Sequence, residues 1–185
     1  MRIWDVGQCW LIVVVLVSLF AACRHGHDRV LILNDFERDS NLNRLLWKCR
    51  TAYSLSEKHS THGRACLKLT VYPSPYPGLH LLLKGEGRDW QGYQKLCLDL
   101  FNPGHDELRL CYRLDDRTNP PYADRANGLI MVKPGLNRIK LDLAALRTSG
   151  TARRLNWERM QSASFFFVSP QRPITLYVDF IRLQR

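Results

Sequence analysis

The sequence predicts an all-β protein, an antiparallel two-sheet β-sandwich or jelly roll. Apolar and polar residues alternate with a period of two in about nine short segments. Pro, Gly and Asn residues separate these segments, and long helical periodicity is almost absent. Many short strands joined by turns are typical of sandwiches and jelly rolls.

The first half of the chain contains the clearest alternation. Residues 29–37 are predicted to form a strand, and residues 51–72 a strand, a glycine-marked turn and a second strand. Residues 74–84 begin with a proline-rich turn and are predicted to continue as another strand. Alternating leucines then predict a strand on each side of the Asn-Pro-Gly break at 102–104.

The second half begins with a loop at 115–128, whose prolines and asparagines oppose a regular element. Residues 129–146 are predicted as two short strands around a Pro-Gly turn. Residues 156–162 open with an N-cap-like Asn and are predicted to form one or two helical turns. Residues 162–169 and 174–183 complete the chain as two apolar strands.

Residues 1–22 are predicted to be a signal peptide. Arg2 precedes a thirteen-residue apolar run at 10–22, whereas a membrane span needs about twenty residues. Small residues before Cys23 resemble a bacterial lipobox, which implies lipid modification of Cys23, although Phe20 stands where Leu is usual. Ordinary cleavage and an uncleaved anchor are the alternatives. All three place the remaining chain outside the cytoplasm, on the periplasmic side of a membrane or at the cell surface.

Residues 23–28 are predicted to be a tether and residues 29–185 a single domain. Removal of residues 1–22 leaves 163 residues, enough for one hydrophobic core. The remaining 26 basic and 16 acidic residues keep the net charge at +10, which favours polyanionic partners. The arginines are scattered and no recognition-helix pattern is present, so nucleic acid is not an expected partner.

Four cysteines in the predicted domain fit an oxidising compartment. Cys49, Cys66, Cys97 and Cys111 are an even number, and their wide spacing lacks the Cys-x-x-Cys pattern of zinc sites. Because Cys97 and Cys111 flank one turn symmetrically, we expect them to pair, which leaves Cys49 with Cys66. Four free thiols are the alternative.

The order of several motifs resembles a known family. The motifs are NDFE (34–37), Trp47, HGRACLKLTV (62–71), RDWQGYQKLCLDLFNP (88–103), YADR (122–125), KPGLNRIKLDL (133–143) and LYVDFIRL (176–183). This series resembles the galactose-binding-like jelly roll of carbohydrate-binding modules, including the non-catalytic domains attached to agarases and related glycosidases. The resemblance covers nearly all of residues 30–184. It implies a two-sheet sandwich that binds sugar and does not catalyse a reaction.

The resemblance also implies a structural calcium ion held by Glu37 and Asp179. First and last strands are neighbours in such folds, and two adjacent carboxylates repel unless a hard cation joins them. Backbone carbonyls near 62–63 would supply further oxygens. The last-strand signature often has two consecutive acids, and here Phe180 follows Asp179. Solvated carboxylates, or carboxylates paired with an arginine, are the alternative.

Sugar recognition predicts a site in the loop after the central strands. It requires aromatic faces against the sugar ring and planar polar groups for the hydroxyls. Both kinds of group occur among the candidate ligand-binding residues Arg113, Asp115, Asp116, Tyr122, Asp124 and Arg125. Asp99 and Arg109 are expected beneath this loop. The alternative is a solvated loop that Tyr122 and Arg125 pin to the sandwich.

Other aromatic residues and the histidines have structural interpretations. Trp47, Trp90 and Trp157 are predicted to pack, and Phe166 is predicted to point away from its neighbours, onto an outer sheet face or under the short helix. The histidines at 25–27 and those at 59–62 could each bind a transition metal, but both pairs are interpreted as incidental and not as metal sites.

These observations predict a non-catalytic carbohydrate-binding domain in an exported, lipid-anchored protein. An envelope assembly component that binds a protein is the alternative from another class, and a small glycosidase is a third. Asp115 and Asp116 are adjacent, so in a strand their side chains point to opposite faces and cannot straddle one glycosidic bond. The sequence has no Gly-x-Ser-x-Gly motif.

Overall fold

The computed structural model describes residues 30–46 and 49–185. Within these ranges the chain forms eleven strands: β1 (Val30–Asn34), β2 (Leu45–Leu46), β3 (Thr51–Ser56), β4 (Cys66–Val71), β5 (Gly78–Leu82), β6 (Lys95–Asn102), β7 (Leu108–Asp115), β8 (Ala126–Val132), β9 (Gly135–Asp142), β10 (Ser162–Phe166) and β11 (Ile174–Gln184). One short helix, α1, spans Asp39–Leu42, and single 3-10 turns occupy Gly85–Arg88, Tyr122–Asp124 and Leu143–Ala145.

Several predicted features lie outside the described residues. These are the signal peptide at 1–22, the lipidation site Cys23, the tether at 23–28, and Trp47. Among the residues that the structure describes, no helix combines the length and the apolar character needed to cross a membrane.

The strands form two antiparallel sheets. The first sheet has the order β3-β4-β11-β6-β9, with β1 also paired to β11, and the second sheet has the order β2-β5-β10-β7-β8. The long strand β11 pairs with β4 through Ile174–Val178 and with β1 through Ile181–Gln184. The predicted all-β two-sheet sandwich is therefore confirmed, and the first and last strands are neighbours.

The alternation of the sequence explains the core between the sheets. Leu96, Leu98 and Leu100 of β6 are fully buried, as are Leu110 and Leu114 of β7. Because successive side chains of a strand point to opposite faces, each strand contributes every second residue to the interior. The residues between them form the outer faces of the sandwich, where a binding site can be built.

Trp90 and Trp157 pack as predicted. Trp90 is 1% exposed, and its ring lies parallel to that of Trp157 with 6.0 Å between centroids. The indole nitrogen of Trp90 donates a 2.8 Å hydrogen bond to the carbonyl of Gly87. This bond satisfies the one polar group of a buried tryptophan.

Residues 156–162, predicted to form one or two helical turns, form no helix and make a single turn in which the Arg159 N–H bonds to the Asn156 carbonyl at 3.2 Å. The Asn156 side chain accepts a hydrogen bond from the backbone N–H of Glu158 at 3.0 Å, as a capping residue would. The chain then makes only one turn, because the N–H of Met160 bonds to the carbonyl of Arg88 and β10 begins at Ser162. Tertiary hydrogen bonds therefore override the local cap.

The predicted pairing of Cys97 with Cys111 is wrong. The structure has four free cysteines among its described residues. Cys97 lies in β6 of the first sheet and Cys111 in β7 of the second, and the neighbours of both point into the core. The two thiols therefore lie on opposite outer faces, separated by more than the sheet spacing of about 10 Å. The turn between them is a crossover between sheets, not a hairpin.

The predicted pairing of Cys49 with Cys66 is also wrong. Cys66 pairs in register with Ser56 at the end of β3, whereas Cys49 precedes the start of that strand. The length of β3 separates them by about 17 Å, beyond the reach of a disulfide. The Cys66 thiol instead donates to the carbonyls of Ser56 and Lys58 at 3.3 and 3.1 Å. Burial, together with the nearby Asp179 and Glu37 carboxylates, raises its pKa to about 12.

Candidate functional site

A cleft of about 860 Å³ lies on the outer face of the second sheet. The outward side chains of four adjacent strands form a row across its floor. His80 of β5 pairs in register with Ser164 of β10, Ser164 with Arg113 of β7, and Arg113 with Asn127 of β8. Residues up to 84 positions apart in sequence therefore become neighbours.

Hydrogen bonds order the side chains of this floor. The Nδ1 atom of His80 lies 2.6 Å from the Ser164 hydroxyl. The Arg113 Nε–H donates to the Asn127 Oδ1 at 3.1 Å, and the Asn127 amide donates to the Ser149 hydroxyl at 3.0 Å. A pre-ordered set of donors and acceptors loses little conformational entropy when a polar ligand binds.

Aromatic side chains stand beside the polar floor. Tyr76 is 57% exposed and Tyr122 is 66% exposed, and both line the cleft. Phe166 points to this outer face, as predicted, and lies edge-to-face with Tyr76 at 6.1 Å between centroids. The Arg113 guanidinium lies over the Phe166 ring at 5.2 Å. The cleft thus offers accessible aromatic faces next to a hydrogen-bonding surface.

Three of the six candidate ligand-binding residues line the cleft: Arg113, Tyr122 and Arg125. Asp115 does not. Its carboxylate lies at the end of β7, where it is buried and accepts a 3.2 Å hydrogen bond from the Ser162 hydroxyl.

Asp116 and Asp124 hold the loop that carries Tyr122. The Asp116 carboxylate accepts two hydrogen bonds from Arg153, at 2.6 and 3.0 Å, and one from the Asn156 N–H at 2.7 Å. Burial by itself raises the pKa of Asp116, but these bonds more than offset it and hold the pKa below its ordinary value. Asp124 bonds to Arg117 at 3.2 Å.

Neither residue expected beneath the loop lies there. Asp99 is in β6, on the outer face of the first sheet, where its carboxylate pairs with Arg182 at 3.2 Å. Arg109 lies near the opposite end of β7 from the loop and does not line the cleft. The alternation gives the face of a strand but does not give the sheet to which the strand belongs.

Glu37 and Asp179 lie against the same loop, as neighbouring first and last strands require. The Asp179 Oδ2 accepts hydrogen bonds from the backbone N–H groups of Thr61 and His62 at 2.6 and 2.9 Å. The Glu37 carboxylate accepts from the N–H groups of Arg64 and Ala65 at 3.0 and 2.9 Å. Loop 60–65 therefore folds over both acids.

This arrangement does not fit a calcium site. Calcium is held by converging oxygen acceptors, whereas N–H donors point at both carboxylates and the His62 carbonyl accepts from Ser60 at 2.9 Å. No group of three or more His, Cys, Asp or Glu side chains within 30–46 and 49–185 is placed to hold a metal. Burial raises the pKa of Asp179, while the two backbone bonds lower that of Glu37.

The histidines of this loop pack on aromatic rings. His59 stacks on Phe101 with 3.6 Å between ring centroids, and His62 stacks on Phe180 at 3.9 Å. Neither belongs to a metal cluster within the described part of the chain.

The sequence interpretation missed several cleft residues. Tyr76, His80, Ser164 and Asn127 line the cleft together with the predicted arginines. The available signal was the single histidine among the leucines of β5 and the alternate serines of β10, because polar residues between apolar ones mark an outer face. That signal does not reveal which strands are adjacent, so it could not assemble the row.

Comparison with solved structures shows where the same fold occurs. The family 11 carbohydrate-binding module of Clostridium thermocellum, solved with a β-1,3-1,4-mixed-linked tetrasaccharide, is 15% identical with a TM-score of 0.63. That match covers 83% of this chain and 94% of the module. The xylan-binding CBM22-1 domain from Paenibacillus barcinonensis is 10% identical with a TM-score of 0.56, over 85% of this chain and 94% of the domain.

An exo-β-agarase also matches, with 18% identity and a TM-score of 0.63, over 83% of this chain but 24% of the agarase. No protein-family model and no curated protein sequence matches the chain. The chain therefore has the jelly-roll fold found in carbohydrate-binding modules and in a domain-sized part of an agarase.

Proposed function

We propose that this protein is a non-catalytic carbohydrate-binding domain, exported and attached to a membrane through a lipid on Cys23. The observation that carries the binding proposal is the cleft on the second sheet. Its exposed tyrosines can lie against the C–H faces of sugar rings, and its ordered polar floor can bond to hydroxyl groups. The fold shared with modules solved as sugar binders supports the same proposal.

A binding role is favoured over catalysis by the positions of the acids. Glycoside hydrolysis needs two carboxyl groups about 5–10 Å apart across the substrate. Among the described residues that line the cleft there is no Asp or Glu. The Asp116 carboxylate accepts a hydrogen bond from Arg153, and the Asp115 carboxylate accepts one from the Ser162 hydroxyl. We therefore propose that the ligand leaves the cleft unchanged.

Export and lipidation are supported by the sequence of residues 1–23 alone. A Cys23→Ser variant tests this part of the proposal. Loss of metabolic labelling by a radioactive fatty acid, with release of the protein from membranes, is expected. Unchanged labelling would contradict it.

The binding proposal is tested by removing the aromatic walls. We expect Tyr122→Ala or Tyr76→Ala to lower the affinity for a bound glycan at least about tenfold, which corresponds to about 1.4 kcal/mol. Tyr72→Ala is the matched control, because Tyr72 is exposed but does not line the cleft. The measurement is a glycan array followed by titration calorimetry on the best ligand.

Failure of the folded protein to retain any neutral or acidic glycan would remove the proposal. A protein partner that co-purifies with the wild type and is lost with Tyr122→Ala or Arg125→Gln, without glycan binding, would favour an envelope assembly role instead.

A further inference from the structure

The charges that line the cleft have one sign. Arg113 and Arg125 contribute two guanidinium groups, and no described acidic residue lines the cleft. The ion pairs within the described ranges involve Arg64, Arg117, Arg153, Arg172 and Arg182. Arg113 and Arg125 are not in that set, so neither forms an ion pair with a carboxylate of the described residues.

Both arginines are held in a way that leaves their outer edges for a ligand. The Arg113 Nε–H bonds to Asn127, and the Arg125 Nε–H bonds to the Pro120 carbonyl at 2.7 Å. A guanidinium has five N–H donors, and the Nη1 and Nη2 groups suit bidentate binding of a carboxylate or sulfate. Anchoring through Nε positions the side chain, and no hydrogen bond from these Nη donors to another described residue competes with a ligand.

The two positive charges also repel one another. Burial lowers the pKa of Arg113, and the positive charge of Arg125 lowers it further. Asp115, at the end of the same strand, acts in the opposite direction but more weakly, and its carboxylate bonds to Ser162. An anionic group placed between the arginines would relieve this repulsion in a partly desolvated setting, where charge interactions are stronger than in water.

We propose that the cleft selects an acidic saccharide, with a carboxylate or sulfate group of the sugar bound by Arg113 and Arg125. This inference rests on the proposed carbohydrate-binding function and adds the class of ligand. The net charge of +10 would favour association with a long acidic polymer. The aromatic walls then contact the sugar rings while the arginines bind the acidic group.

Matched pairs of polymers test the inference by isothermal titration calorimetry or affinity electrophoresis. Polygalacturonate is compared with its fully methyl-esterified form, and dextran sulfate with dextran, so that each pair differs in charge on one backbone. We expect binding to the acidic member of at least one pair to be at least about tenfold tighter. The two pairs distinguish a carboxylate from a sulfate.

Charge-removing variants distinguish local recognition from general attraction. Arg113→Gln and Arg125→Gln are each expected to weaken acidic binding about tenfold, a typical loss for a charge-assisted bidentate contact. Arg109→Gln removes the same charge from an exposed position of β7 outside the cleft, and it should change affinity less than about twofold. Thermal unfolding establishes that each variant is folded.

Each outcome has a defined meaning. Equal affinity for the acidic and neutral members of both pairs overturns the inference but leaves the carbohydrate-binding function intact. Equal losses for Arg109→Gln and Arg113→Gln overturn it as well, because the attraction would then be non-specific. If no saccharide of either kind binds, the proposed function fails too.

Discussion

At the scale of single residues, Glu37 and Asp179 show how one loop can accommodate two acids through backbone hydrogen bonds. Backbone N–H groups of loop 60–65 satisfy both carboxylates. The loop must pass very close to Glu37, and Gly63 makes this possible. Its φ is +66°, and a Cβ at this position would lie 2.4 Å from the Glu37 Cδ.

We therefore expect Gly63→Ala to destabilise the fold more than a substitution at an unconstrained glycine. Gly85 is the matched control, because its φ is also positive, at +53°, but nothing lies within 4 Å of an added Cβ. Gly85→Ala should cost about 1–2 kcal/mol from its backbone conformation. Gly63→Ala should cost more than this, since the added Cβ displaces the Glu37 carboxylate and breaks its backbone hydrogen bonds.

Urea denaturation of the two variants measures this difference. Equal losses of unfolding free energy would show that Glu37 moves aside without cost and that the loop does not depend on its carboxylate.

At the scale of elements, an ion pair between Asp116 and Arg153 is one of the anchors of the loop that carries Tyr122. The Asp116 side chain is fully buried and that of Arg153 is 28% exposed. Removing one partner of a buried pair is costly, because the other charge is left without compensation. The predicted loop residues thus divide into those that face the cleft and those that hold the loop in place.

We expect Asp116→Asn to lower the unfolding free energy by about 3 kcal/mol at neutral pH. Asp106→Asn is the control, because Asp106 pairs with Arg172 at a site where both side chains are about 70% exposed, and exposed pairs contribute less than about 1 kcal/mol. Chemical denaturation of both variants provides the measurement.

The Asp116 contribution should also depend on pH. Its pKa is lower in the folded state than in the unfolded chain, so its stabilisation is fully present above the unfolded value of about 3.9. It is lost as the pH falls through the lower folded pKa. The stability difference between wild type and Asp116→Asn should therefore shrink below about pH 4. A difference that stays constant down to about pH 2 would contradict this role.

At the scale of the whole molecule, the two outer faces of the sandwich differ. The face of the second sheet carries the cleft. The face of the first sheet is closed in part by loop 60–65 and by histidine–aromatic stacking. The described domain has no disulfide bonds. Its stability then depends on the hydrophobic core and on acids whose carboxylates accept hydrogen bonds from the backbone.

A chelator tests this view of the acidic pair. Because N–H donors occupy the oxygens of Glu37 and Asp179, we expect EDTA and added calcium to leave the Tm unchanged. Differential scanning calorimetry is the measurement, with a known calcium-stabilised jelly roll as the positive control. A Tm that falls in EDTA and recovers with calcium would show that the loop rearranges to expose oxygen ligands.

The sequence by itself determined most of the strands, their inward and outward faces, the two-sheet class and the packing of Trp90; the short strand β2 (Leu45–Leu46) was not predicted. These depend on alternation and turn residues, which are local properties of the chain. It also pointed to Arg113, Tyr122 and Arg125, because aromatic and cationic residues cluster in one loop.

Only the tertiary structure decided which strands are adjacent. The row from His80 to Asn127 joins four strands, and nothing in their local sequence encodes that order. Likewise, Cys97 and Cys111 are close in sequence but face opposite sides of the molecule, because the chain changes sheets between β6 and β7. Burial of the whole core determines which strands pair, and this is a non-local property of the chain. Sites formed by residues of several strands can therefore be located only in the folded protein.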